Sequence, residues 1–117
     1  MTPRTVSILG TEYTVQICSP EEEKLLTQCD GFCDKTTHRI AVTTKPEDCD
    51  LDDFATYQRK VIRHEVIHAF LFESGLDCNI NRAGAGTVGN HDEQMVDWMA
   101  AQWPKICRVF EALGVSE

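Results

Sequence analysis

Residues 61–72 read Val61-Ile62-Arg63-His64-Glu65-Val66-Ile67-His68-Ala69-Phe70-Leu71-Phe72. Apolar side chains fall on nearly every side of a helical wheel over this stretch, the pattern of a helix buried all round. The helix is expected to run from about Leu51 to Ser74, with Asp50 or Asp52 near its start and Gly75 as its stop. A second helix is expected from about Asp92 to Leu113, with Val96, Met99, Trp103, Ile106 and Phe110 as its apolar stripe and a kink at Pro104. Trp98 lies off that stripe and is expected to be partly buried against a sheet.

Upstream of the first helix the period changes from helical to alternating. Residues 5–17 are rich in β-branched side chains and alternate, with Gly10 as the turn of a strand or bent hairpin. Ser19-Pro20-Glu21-Glu22-Glu23 is a helix-start signal, predicting a short helix to about Gln28. Asp30-Gly31 reads as a turn. Phe32 to Thr44 reads as a strand pair, Arg39-Ile40-Ala41-Val42-Thr43 being its clearer half. Lys45 to Asp50 is an acidic loop, and residues 76–90, with three glycines and no periodicity, form a long loop or contain one short irregular strand. The elements predict an α+β fold: a small, mainly antiparallel sheet packed against two long helices, in one domain spanning residues 1–117.

The chain has 19 acidic and 11 basic residues, a net charge of −8. A field of that sign repels phosphate backbones and anionic lipid, which argues against nucleic-acid and membrane partners. The N-terminus has no apolar signal-peptide core and no apolar run spans a bilayer, so a cytoplasmic location is expected. Six cysteines are then expected to be reduced thiols. Cys29 and Cys33, with His38 five residues on, form a candidate second metal site of unusual spacing.

Within the first helix, residues 64–68 are His-Glu-Val-Ile-His. Side chains at i and i+4 project from one helix face, so His64 and His68 are placed to reach a single ion. Neutral imidazoles suit Zn2+. Glu65, one position round, is placed as general base toward a metal-activated water. Two histidines are an incomplete set, and His91, Asp92 and Glu93 supply candidates for a third ligand. Glu93 is favoured, with Asp97 one turn beyond to accept the spare N–H of a ligand histidine. His91 is the runner-up, or a donor to a developing oxyanion, a role for which Arg82, Tyr57 and His38 are further candidates. The loop from Arg82 to Thr87 is a candidate substrate edge or a plain connection.

The order of these elements resembles the small phage- and prophage-encoded metallopeptidase-like proteins. The residues that carry the likeness are Gly31-Phe32-Cys33-Asp34, the Ile-Ala-Val strand, the H-E-x-x-H helix and Glu93 to Ala100. More distantly the chain is similar to the ImmA/IrrE-type peptidases, and both groups are gluzincins. The resemblance implies a minimal zincin-like domain with Glu93 as third zinc ligand and Asp97 accepting the spare N–H of a ligand histidine. It implies hydrolysis of a peptide or protein substrate, with Glu65 as base. The alternative is a zinc-binding interaction protein without turnover.

Overall fold

The alternating N-terminal segment folds back on itself. In the computed structural model, which describes residues 2–76 and 93–117 apart from the side chains of 93, 94, 96, 97 and 100, β1 (Arg4–Ile8) pairs antiparallel with β2 (Thr11–Cys18). Leu9 and Gly10 join them, both at positive φ (50° and 90°). Two successive positive φ values let a two-residue turn follow the twist of its strands. The bent hairpin, rather than a single strand, is therefore what residues 4–18 form.

β3 (Gly31–Asp34) and β4 (Arg39–Thr43) make a second antiparallel pair. The two pairs join through β2 and β4, which run parallel with Val15 opposite Ile40. The strand order is β1-β2-β4-β3. The expectation of a mainly antiparallel sheet is thus refined to a mixed one, because its central pairing is parallel. A parallel pair needs a crossover, here residues 19–38. The helix expected after Ser19 does not form at full length. Ser19 and Glu22 exchange capping bonds, Ser19 N donating to Glu22 Oε1 at 3.0 Å and Glu22 N to Ser19 Oγ at 3.3 Å. Only a single 3-10 turn, Lys24–Thr27, follows. A cap does not sustain a helix without an apolar face to bury; Leu26 is buried here, but Leu25 is 52% exposed.

The first helix, α1, spans Phe54–Ser74 and starts later than expected. Its cap is Asp53, whose Oδ1 accepts from Thr56 N at 3.1 Å, an arrangement worth about 1 kcal/mol. Leu51, read as helical, lies outside it and is 43% exposed. Gly75 ends the helix in the left-handed region (φ 76°), as its position suggested. The reading of α1 as buried on all faces is corrected. It buries one broad stripe, Val61, Ile62, Glu65, Val66, Ala69 and Phe70, while Ile67, Leu71 and Phe72 are half-buried and His64 is exposed. Apolar residues beyond that stripe exceed what one sheet and one neighbouring helix cover.

The second helix, α2, spans Glu93–Leu113 with Pro104 inside it. Ile106, Val109, Phe110 and Leu113 are buried in the core they share with β1, β2, β4 and α1. Each such apolar side chain contributes roughly 1.5–3 kcal/mol by leaving water. Met99 and Trp103, expected on the buried stripe, are 37% and 48% exposed. Among the described side chains the stripe packs through Ile106 and Phe110 and continues to Leu113, while that of Val96 lies outside them. Trp98 is half-buried against the core and donates to Ser74 Oγ at 3.1 Å, so it meets the end of α1. Val115 N bonds Phe110 O at 3.0 Å and Gly114 N bonds Glu111 O at 3.1 Å, a Schellman ending that folds Val115 into the core. No described helix is long and apolar enough to cross a membrane.

α1 is tied down along its length. Arg59 Nε and Arg63 Nη1 donate to the carbonyls of Glu117 and Val115 at 2.6 and 2.7 Å. At its far end Glu73 accepts from Thr11 Oγ1 at 2.6 Å and Tyr13 Oη at 2.7 Å. These two bonds hold the Glu73 carboxyl below its ordinary pKa; burial, then the Glu73 bond, pushes the Tyr13 hydroxyl up. A carboxyl depressed on folding adds stability above its unfolded pKa of about 4.3, and the contribution is lost as pH falls through the folded value. Glu73→Gln leaves one donor without a carboxylate oxygen. It is expected to cost about 1 kcal/mol at neutral pH, with the difference from wild type closing in thermal melts below about pH 4.

Candidate metal and catalytic site

α1 crosses the sheet beside its edge strand β3, and Gly31 makes the approach close. A Cβ on Gly31 would sit 2.8 Å from Val61 Cγ1, 3.2 Å from Val42 Cγ2 and 3.3 Å from the Ala41 carbonyl oxygen. Gly31 is therefore a packing residue at the start of β3, not the turn its sequence context suggested. This contact sets the roll of α1 over the strand margin, and one turn later on α1 come His64 and Glu65.

The two histidines converge. His64 Nε2 and His68 Nε2 are 3.1 Å apart, their rings 4.8 Å between centroids and inclined at 69°. Two ligands held about 2.05 Å from one ion at a tetrahedral angle stand about 3.3 Å apart. The pair thus fits the separation that zinc asks of two imidazoles. His64 is exposed and His68 half-buried, so the site opens to solvent. The expectation that both imidazoles lie inside a buried helix is corrected by this, since their face of α1 lies off its buried stripe.

Glu65, on the adjoining residue, lies in the packing between α1 and β3 and shares a hollow with His64. It is 7% exposed. Burial pushes its carboxyl above the usual range, and the imidazoles of His64 and His68 pull it back. The neighbouring Cys33 thiol is pushed up to about 12, mostly by burial and then by the charges of Glu65, Asp34 and Glu73. Such a thiol stays protonated at neutral pH.

A hollow of about 170 Å3 opens beside His64 and Glu65, lined also by Asp30, Gly31, Tyr57, Lys60 and Val61. Asp30, Gly31 and Lys60 were not singled out for this place from the sequence; the spacing of Tyr57, Lys60 and His64 along one helix face was the available signal. The Tyr57 hydroxyl donates to Asp30 Oδ2, so its proton is already engaged and it is a poor oxyanion donor. On the far side of the histidines Phe72 stacks on His68, 6.0 Å between centroids and inclined at 21°. Lys35 Nζ lies 5.2 Å from the Phe72 ring centroid. Phe72 is four residues from His68, another neighbour legible from helical spacing.

The remaining candidates are spread apart or outside the described residues. His91, Arg82, Asp92 and the 82–87 loop fall in 77–92, outside that set. Glu93 opens α2 and Asp97 lies one turn on, their side chains outside it as well. His38 packs on Tyr13 at 5.2 Å between centroids, and its oxyanion role finds no support there. The second metal site is not assembled. Cys29 is exposed with its thiol on the Leu25 carbonyl at 3.3 Å, Cys33 faces α1, and His38 sits on Tyr13. Among the described residues no three His, Cys, Asp or Glu side chains gather as an ion-binding group. Cys18, Cys29, Cys33, Cys49 and Cys107 are all free thiols.

The tight seat of Gly31 makes a direct prediction. Gly31→Ala is expected to destabilise the protein by about 1–3 kcal/mol, read in urea melts, because a buried valine must give way. Val61→Ala in the same background relieves the clash and is expected to recover part of the loss.

The sequence matches no protein-family model, and neither a curated protein nor a solved structure matches the chain.

Proposed function

We propose that this protein is a zinc-dependent peptidase, in which His64 and His68 hold the ion with Glu93 as third ligand and Glu65 serves as general base. The observation that carries the reading is the convergence of the two Nε2 atoms to 3.1 Å, with a buried carboxylate on the adjoining residue. Zinc, when bound, acidifies a water and polarises the scissile carbonyl. The chain's own part is to orient and to move protons. Glu65 takes a proton from the attacking water and passes it to the leaving amine, so that the carbonyl carbon gains OH and the nitrogen gains H. Partial burial favours this role, because it raises the basicity of the carboxylate toward neutral pH.

A peptide substrate also has a place to lie. β3 has β4 as its single sheet neighbour among the described residues and passes beside α1. Its outer margin offers backbone hydrogen bonds to an extended chain. Tyr57 and Lys60 flank the His64 end of that margin, and Phe72 with Lys35 flanks the His68 end. The resemblance of the motif order to gluzincins points the same way.

The test begins with elemental mass spectrometry of protein purified without added metal, followed by digestion of quenched fluorogenic peptide pools. Wild type is expected to carry about one zinc per chain and to cleave. Glu65→Gln is expected to retain zinc and lose about 100-fold or more of the rate, whereas His64→Ala and Glu93→Ala lose the metal. Failure to take up zinc overturns the reading. Zinc retained with no cleavage of any pool overturns the peptidase and leaves a zinc-binding interaction protein.

A further inference from the structure

The sheet has a second margin, at β1, as far in strand order as it can be from the histidines. Among the described residues β1 pairs with β2 alone. Beside it lies a hollow of about 470 Å3 between the strand and α2. Thr5, Val6 and Ser7 all line it. Successive strand residues point to opposite faces, so three in a row on one hollow means that the backbone margin faces it. Phe70 and Val109 give the hollow an apolar wall. An edge of this kind is a template for another extended chain.

Charge says which chain fits. The protein carries −8 overall, yet the ionisable side chains lining this hollow, Lys105 and Arg108, are both cations. They stand three residues apart on α2, as neighbours on one helix face, and both are exposed. Neither is in an ion pair among the described residues. Arg4, at the start of β1, donates to the Ala112 carbonyl and brings a third cation to the same margin. A second copy adding edge to edge would set these cations against their own images, and nucleic acid would meet the field of the whole acidic protein.

We propose that the β1 margin binds an extended acidic peptide segment of a partner protein as a fifth strand, its carboxylates meeting Lys105 and Arg108. The margin lies apart from His64 and Glu65, so this binding stands independently of peptidase activity. Backbone pairing supplies the register, and the cationic pair selects against neutral and basic segments.

The probe is an end-blocked, fluorescein-labelled octapeptide of alternating valine and glutamate, titrated with the full chain and read by anisotropy. Saturable binding that weakens with salt is expected, with slowed amide exchange at Thr5–Ser7 by NMR. A Val/Lys peptide of equal length is expected not to bind. The double variant Lys105→Glu/Arg108→Glu is expected to melt like wild type, since both side chains are exposed, and to lose about tenfold or more in affinity. No saturable binding overturns the proposal, as does equal affinity for the charge-reversed variant. A concentration-dependent dimer in sedimentation that protects the same amides and resists competition by the acidic peptide also overturns it, assigning the margin to a second copy.

Discussion

The close seat of α1 on β3, made at Gly31, is the contact on which the arrangement of the site depends. Val61 fits over a residue without a side chain, so the helix lies lower on the sheet margin than any Cβ would permit. From that seat the 100° step between helix residues does the rest. Glu65 turns into the packing, while His64 and His68 remain beside the strand margin, one exposed and one half-buried. A carboxylate short of water and two imidazoles in reach of it are consequences of one roll angle. The ties at Arg59, Arg63 and Glu73 keep α1 from turning away from it.

The sheet beneath sets what stands at each of its two margins. A parallel β2–β4 pairing puts the hairpin β1–β2 on one side and β3 on the other. Each outer strand thereby has a single neighbour among the described residues. At the β3 margin the adjoining groups are two imidazoles and a buried carboxyl. At the β1 margin they are lysine and arginine against an apolar wall. The difference lies in which helix stands next to each strand, α1 at β3 and α2 at β1.

Charge is distributed in the same uneven way. Most acidic residues lie on loops and exposed helix positions, where water solvates them at little cost. The two carboxyls of α1 are shifted in opposite directions. Glu73 accepts hydrogen bonds from two hydroxyls, which favour its ionised form and fasten α1 to β2. Glu65 is raised chiefly by burial, the condition in which a carboxylate exchanges protons closer to neutral pH. Eight residues apart on one helix, they differ because their surroundings differ.

The sequence by itself determined what depends on local periodicity. Alternation over residues 5–17 with Gly10 between left a strand or a bent hairpin, and Gly75 specified the end of α1. The i, i+4 spacing of His64 and His68 required only that the segment be helical for the two rings to meet. Residue types alone also favoured the α+β class. Tertiary structure decided what depends on long-range contact: the parallel β2–β4 pairing, the packing role of Gly31, and the hollow where Asp30, Tyr57 and Lys60 join the histidine face. It also decided that α1 buries a stripe instead of its whole circumference, and that Met99 and Trp103 stay out in solvent. An apolar run tells which side chains prefer burial. How many of them obtain it is set by the area that neighbouring elements cover, a quantity no local pattern contains.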